Sequence, residues 1–380
     1  MTFVLGANIP WVTCGHDFGP RPPAWRGARP TDWAALEREL AALHALGLRV
    51  ARFWVLAGGV NYPVGSDPTA IADVVPFDAP YPSRRHWRTA QTYRFELRGA
   101  LPRLPDAFLE DFERLLEACR AADVALLPSL TSFELLGPIV SHTGGPRSGG
   151  RGSFVLGART GPFLDAVLEP LLERCEPYRD AIFAWEVMNE PDWGALPRGV
   201  RGPWAPPDAL SAFLLEGVRR IARRGFRATI GFIHARPTWL SPEHRATLQT
   251  LADRDSYVHQ THFYAREDIG MRLPRASDTA VTPCLLGELP SAQAYRWADP
   301  ELWATEAEPD RYLEARLALA AERGYVGALV WSCRGTDSQT RWNASTQAQI
   351  ARAARRLQRS SSSGSSSSGS MSPGSPSKSS

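Results

Sequence analysis

Lysine is nearly absent from this 380-residue chain: Lys378 is the single one, and arginine carries almost all the positive charge. The arginines interleave with acids, as in LERELAALHALGLR (36–49) and EDFERLLEACR (110–120), and the formal net charge is only +3. No basic block marks a nucleic-acid partner. Cysteine is scarce too: Cys14, Cys119, Cys175, Cys284 and Cys333 are odd in number, widely spaced and without a CxxC pair. That pattern signals neither a disulfide framework nor a zinc site, so they read as reduced core residues. No run of about 18 apolar residues occurs, and MTFVLGANIPW at the start lacks a basic segment followed by a long apolar one. The expectation is a cytoplasmic protein with no membrane partner, in which the sequon Asn343-Ala344-Ser345 is accidental.

What is present is enough for a large core, with 43% hydrophobic and 22% charged residues. Short apolar runs alternate with segments of helical period. The runs are VLGANI (4–9), LRVARFWV (48–55), VALLPSL (124–130), IFAWEVM (182–188), ATIGFI (228–233), YVHQTHFY (257–264), CLLGEL (284–289) and GALVWSC (327–333). Helical period follows at 32–46, 106–122, 161–175, 207–224, 243–253, 311–324 and 346–359, with Thr31 expected as the first N-cap and Gly47 as the stop. Only the segment after the sixth run is poorly helical.

Near-continuous apolar strands alternating with amphipathic helices predict a parallel sheet covered by helices, and eight units favour a (β/α)8 barrel over a doubly wound sheet. Residues 1–359 form the expected barrel, and the Ser/Gly-rich segment 360–380 reads as a disordered tail. Two long insertions, about 56–104 and 131–160, follow the second and third strands, on the face where barrel enzymes carry their sites.

Polar groups that carry chemistry in a barrel belong at the C-terminal ends of several strands. Arg52 lies in the second run, Asn189 and Glu190 end the fourth, His262 and Tyr264 the sixth, Glu288 the seventh, and Trp331 the eighth. Either glutamate alone reads equally well as a turn carboxylate before a proline. Together, 98 residues apart and on opposite sides of a small mouth, they are the pair needed to protonate a leaving oxygen and attack an anomeric carbon. Arg52 is either a structural ion-pair partner or the group that keeps one carboxylate ionised. Trp11, Trp54, Trp193, Tyr264 and Trp331 offer flat apolar surfaces at ligand height, as sugar rings require. His259 and His262, three apart on a strand, face opposite ways and do not form one metal site; no metal or cofactor is implied.

These motifs together resemble the clan A glycoside hydrolases, most closely the cellulase- and mannanase-type members of glycoside hydrolase family 5. The resemblance rests on Arg52 in LRVARFW, the Asn189-Glu190-Pro191 triplet, His262 and Tyr264 in HFY, Glu288 in LLGELP and Trp331 in LVWS. It implies that Glu190 is the acid/base and Glu288 the nucleophile of a retaining hydrolase. Asn189 would meet the sugar 2-hydroxyl, Tyr264 hold the nucleophile, His262 orient the acid/base or substrate, Trp331 floor a subsite and Arg52 support Glu288. Retention requires carboxyls about 5–5.5 Å apart. One departure is that the third strand ends without the family's usual histidine; His142 follows in the loop. FAWEVMNEP and RFW resemble the mannan-cleaving branch, so a β-glucan, a β-mannan or derived oligosaccharides are the expected carbohydrate substrates. A catalytically silent sugar-binding barrel and a transglycosylase remain the alternatives.

Overall fold

The computed structural model describes residues 3–10, 31–56, 104, 106–137, 140–141, 147–148, 152–196, 203–264, 273–291, 311–333 and 340–363. Eight strands close into a ring: β1 (Val4–Asn8), β2 (Val50–Leu56), β3 (Ala125–Ser132), β4 (Trp185–Asn189), β5 (Ala228–Phe232), β6 (His259–His262), β7 (Cys284–Pro290) and β8 (Gly327–Trp331). Every neighbouring pair is parallel, and β1 closes the ring by pairing with both β2 and β8. The chain is a (β/α)8 barrel, with each strand inside the run expected for it or extended from it by one to two residues.

Helices cover the outside: α1 (Trp33–Ala45), α2 (Asp106–Ala121), α3 (Glu169–Cys175), α4 (Pro207–Arg223), α5 (Pro242–Asp253), α6 (Tyr312–Glu322) and α7 (Ala344–Ser363). A helical run through Thr160–Phe163 and a π turn at Leu164–Leu168 leads into α3. The N-cap of α1 is Asp32 and not Thr31: its Oδ1 accepts the Ala35 N–H at 2.9 Å, and a carboxylate also complements the positive helix end. Gly47 ends α1 in the left-handed region at φ +87°, where a Cβ would also sit 2.6 Å from the Ala354 Cβ of α7. In the sixth unit the described residues hold a 3₁₀ turn, Ala276–Asp278, and no α-helix, in keeping with the weak helical period there.

The insertion after β2 lies almost entirely outside the described residues. That after β3 includes a 3₁₀ turn (Phe133–Leu135), a two-stranded ribbon (Val140–Ser141 with Arg147–Ser148) and a short helix (Gly152–Val155). Cys119, Cys175 and Cys284 carry free thiols and, like Cys333, are buried, and no described helix is long and apolar enough to cross a membrane.

Inside the ring the side chains form layers. Val50, Leu127, Ala184, Val258, Leu285 and Leu329 fill the N-terminal end with a small apolar cluster. Above it the interior turns polar, with Asn8, Arg52, Ser129, Glu186 and Gln260 all fully buried. Trp54, Trp331 and Tyr264 pack together near the C-terminal rim. Apolar packing thus supports a polar floor directly under the mouth.

Candidate active site

Arg52 organises that floor. Its Nε and Nη2 donate to Glu186 Oε2 and Oε1 at 2.8 and 2.7 Å, Nη2 also to Asn189 Oδ1 at 2.7 Å, and Nη1 to Asn8 Oδ1 at 2.9 Å and Glu288 Oε1 at 2.7 Å. All five N–H groups of the guanidinium are therefore used. Its Cζ lies over the Trp54 ring, 4.4 Å from the centroid. Burial opposes the charge, but the carboxylates of Glu186 and Glu288 outweigh it and hold the arginine above its ordinary pKa. Burial likewise pushes Glu186 upward, and Arg52 overcomes that to leave it below the usual carboxylate value.

Period-two alternation would send Glu186 and Asn189 to opposite faces of β4. An irregularity in the register with β5 breaks this alternation: Glu186 pairs with Thr229 and Asn189 with Gly231, three residues against two, and both side chains reach Arg52. A similar irregularity around Gly287 in β7 precedes Glu288, seen where Thr261–His262 face Leu286–Glu288.

Glu288 is buried, and both its oxygens receive donors, Oε1 from Arg52 and Oε2 from the Tyr264 hydroxyl. Its pKa is raised above the ordinary carboxylate value by burial, which His262, Arg52 and Tyr264 only partly offset and to which Glu190 adds. Glu190 stands opposite with its side chain 14% exposed. Its Oε1 is 2.9 Å from His262 Nδ1, and its Oε2 accepts the Trp193 Nε1–H at 2.8 Å. Burial pushes the Glu190 carboxyl up to about 7, against Trp193 and Arg52 and with Asp192 and Glu186. Glu190 sits at φ +48°, a strained position for a side-chain-bearing residue. Its N–H bonds Gly231 O at 2.7 Å, and the following turn is tied to β5 by Asp192, whose carboxylate accepts the Ile233 N–H at 2.8 Å and the Trp239 Nε1–H at 3.1 Å.

One oxygen of Glu190, one of Glu288 and a nitrogen of His262 lie within 4.8 Å of one another. Both Glu288 oxygens already serve Arg52 and Tyr264, which leaves this trio poorly disposed to hold a metal. Glu134, in the turn after β3, is also pushed up to about 7 by burial and lies near Glu190. Ser132 Oγ donates to it and accepts from Asn189 Nδ2 at 3.1 Å, so this pair occupies the third strand's end.

Arg52, Asn189, Glu190, His262, Tyr264, Glu288 and Trp331 thus come together as a single cluster. Trp54 is buried beneath it, edge-on to Trp331 with centroids 5.6 Å apart. Trp193 is 40% exposed. His259 is buried against Phe232 and Tyr257, away from His262. Trp11 and His142 lie outside the described residues. Glu186, Asn8, Gln260, Ser132, Glu134 and Asp192 were not anticipated. For Glu186 the available signal was a carboxylate inside an otherwise apolar strand, which needs a buried cation.

No family model and no curated protein matches the chain. Among solved structures it is similar to the β-1,4-mannanase of the common sea hare Aplysia kurodai (TM-score 0.61, 16% identity, 92% of each chain covered). It is similar also to the β-mannanase of the blue mussel Mytilus edulis (TM-score 0.62, 16% identity, 92% of this chain and 91% of that). A third is the β-1,4-D-mannanase of Cryptopygus antarcticus (TM-score 0.62, 16% identity, 92% of this chain and 89% of that). At that identity the likeness is one of architecture: over 92% of its length the chain shares the barrel fold of these β-mannanases.

Proposed function

We propose that the protein is a retaining glycoside hydrolase that cleaves β-linked glucan, mannan or oligosaccharides derived from them. The observation that carries this reading is the carboxyl pair at the barrel mouth, with oxygens of Glu190 and Glu288 within 4.8 Å. Oxygens that close suit carboxyls held about 5–5.5 Å apart, as in retaining enzymes, better than the roughly 6.5–9.5 Å with which inverting enzymes admit a water. The two environments differ as the roles demand. Burial raises both carboxyls, but Glu288 has donors on both oxygens and the Arg52 charge against one of them, which favour the ionised, nucleophilic form, whereas Glu190 at about 7 can carry a proton at neutral pH.

In the first step a Glu288 oxygen bonds the anomeric carbon as the glycosidic C–O bond breaks, and the proton of Glu190 goes to the leaving oxygen. Glu190, now ionised, then takes a proton from water; the resulting hydroxide oxygen bonds the anomeric carbon and Glu288 leaves as carboxylate. Asn189 has its Oδ1 on Arg52 and one Nδ2–H on Ser132, so its second Nδ2–H remains for a sugar hydroxyl. Trp331, packed with Trp54 and Tyr264 at the rim, offers an indole for the apolar face of the ring. The β-mannoside option draws on the FAWEVMNEP stretch and is one arm of the test.

The test is a panel of chromogenic β-glycosides and defined β-1,4-glucan and β-1,4-mannan oligosaccharides, run on wild type and Glu288→Ala. Turnover of one sugar series by wild type alone is expected. Equal residual rates in both would favour a silent sugar-binding barrel, and products longer than the substrate would favour transglycosylation.

A further inference from the structure

Gln260 lies inside the barrel on β6, fully buried, two residues before His262. Its Nε2 is 2.5 Å from Glu186 Oε2 and 3.3 Å from His262 Nε2. The facing groups settle which way the amide points. Glu186 accepts from Arg52 through both oxygens and from Ser129 Oγ at 2.6 Å, so it is an ionised acceptor and the group against it must be the NH₂. One Nε2–H goes to Glu186, and the other is directed at His262 Nε2. Gln260 Oε1 finds no partner among the described residues, so the amide is oriented by its donors at the expense of its acceptor.

Space is reserved for this arrangement on both sides. A Cβ at Gly231 of β5 would stand 2.8 Å from Gln260 Nε2, and one at Gly287 of β7 would stand 2.5 Å from the same atom. Two adjacent strands therefore lack side chains where the amide lies.

An imidazole whose Nε2 accepts a hydrogen bond carries its proton on Nδ1. That nitrogen is 2.9 Å from Glu190 Oε1 and 3.5 Å from Glu288 Oε1. We infer that Gln260 is a positioning residue that locks His262 in the Nδ1–H tautomer, so that His262 donates to Glu190 and Glu190's own proton stays available to the leaving oxygen. This rests on the reading of Glu190 as general acid. In the opposite tautomer Nδ1 would be a lone pair, and the Glu190 proton would be held in a bond to it. Among the described residues the charged groups around the imidazole are Glu186, Glu190 and Asp192 on β4 and its turn, Glu288 on β7 and Arg52 on β2. Burial keeps His262 below its ordinary pKa, hence neutral in this setting.

The tautomer is read directly by long-range ¹H–¹⁵N correlation on uniformly labelled protein, with His262→Asn assigning the resonances. Wild type is expected to show a protonated Nδ1 and a bare Nε2. Gln260→Met keeps side-chain length and removes both N–H groups, and should move the proton partly or wholly to Nε2. The same variant should lower kcat/KM about tenfold for glycosides with poor leaving groups and leave dinitrophenyl glycosides, which need no acid, nearly unchanged. Gly287→Ala, whose added methyl would meet Gln260 Cδ, Nε2 and Cγ as its three nearest atoms, should act in the same direction if Gln260→Met does not fold. A protonated Nε2 in wild type, or an unaltered tautomer in a folded variant, overturns the inference. The spectrum needs no turnover, so an inactive wild type would remove the hydrolase reading without touching this result.

Discussion

Trp193 donates its indole N–H to Glu190 Oε2 at 2.8 Å, although the ring itself is 40% exposed. The bond opposes the burial that lifts Glu190 to about 7, because a donor stabilises the ionised form. Trp193→Phe keeps the aromatic surface and removes the donor. The basic limb of the kcat/KM profile, set by loss of the acid's proton, should lie near pH 7 in wild type and about 0.5–1 unit higher in the variant. A pH–rate profile of each checks this, and a limb that stays or falls would assign the titration to another group.

The two carboxylates should respond to removal in opposite ways. Glu190→Ala should slow glycosides with poor leaving groups by about 10²–10⁴-fold and spare activated ones. Azide should then accelerate the second step and give a glycosyl azide of the substrate's own β configuration. Glu288→Ala should be nearly inactive, with azide attacking the anomeric carbon directly and giving the α product. Product stereochemistry by NMR checks both, and exchanged outcomes would exchange the roles.

The barrel was legible in the sequence because eight apolar runs alternate with helical period everywhere but after the sixth, and Arg52, Glu190 and Glu288 because each ends or interrupts such a run. Glu186 and Gln260 were not. Reading β4 with a strict period of two sends Glu186 and Asn189 to opposite faces, but the register with β5 is irregular between them, three residues against two, and both reach Arg52. Such an irregularity depends on the neighbouring strand's register and leaves no mark in a single run. Gln260 sits between two histidines and its meaning depends on Gly231 and Gly287, which belong to other strands. Trp54 could be read as a sugar platform from its place in β2, yet Arg52 and Trp331 cover it.

Arg52 and Arg227 each pair with a carboxylate at 2.7 Å, but in different media. Arg227–Asp255 is a surface pair, with Asp255 61% exposed, and Arg227→Lys should change stability by less than about 1 kcal/mol. Arg52 and Glu186 are fully buried, and a lysine there could supply three donors where five are used. Arg52→Lys should cost about 3–5 kcal/mol in urea unfolding, as breaking a buried pair does. Similar losses at the two sites would mean that the polar floor is not dry.

The burial that raises the Glu190 pKa makes the native state hold a proton that the unfolded chain has released. Glu190 goes from the ordinary carboxylate value of 4.5 to about 7 on folding. A raised pKa of this kind contributes no penalty below the unfolded value. Stability then falls as pH rises through the interval, and the full penalty applies above about 7. Glu190→Gln removes the titration, so it should leave stability near pH 4 little changed and raise it at pH 8 by on the order of 1–2 kcal/mol, part of the gain being lost to the amide's poorer fit against His262. Urea midpoints measured across that range check the sign. A variant equally or less stable than wild type at pH 8 would show that Glu190 is not strained by its site, and the acid's raised pKa would have to come from the bound substrate.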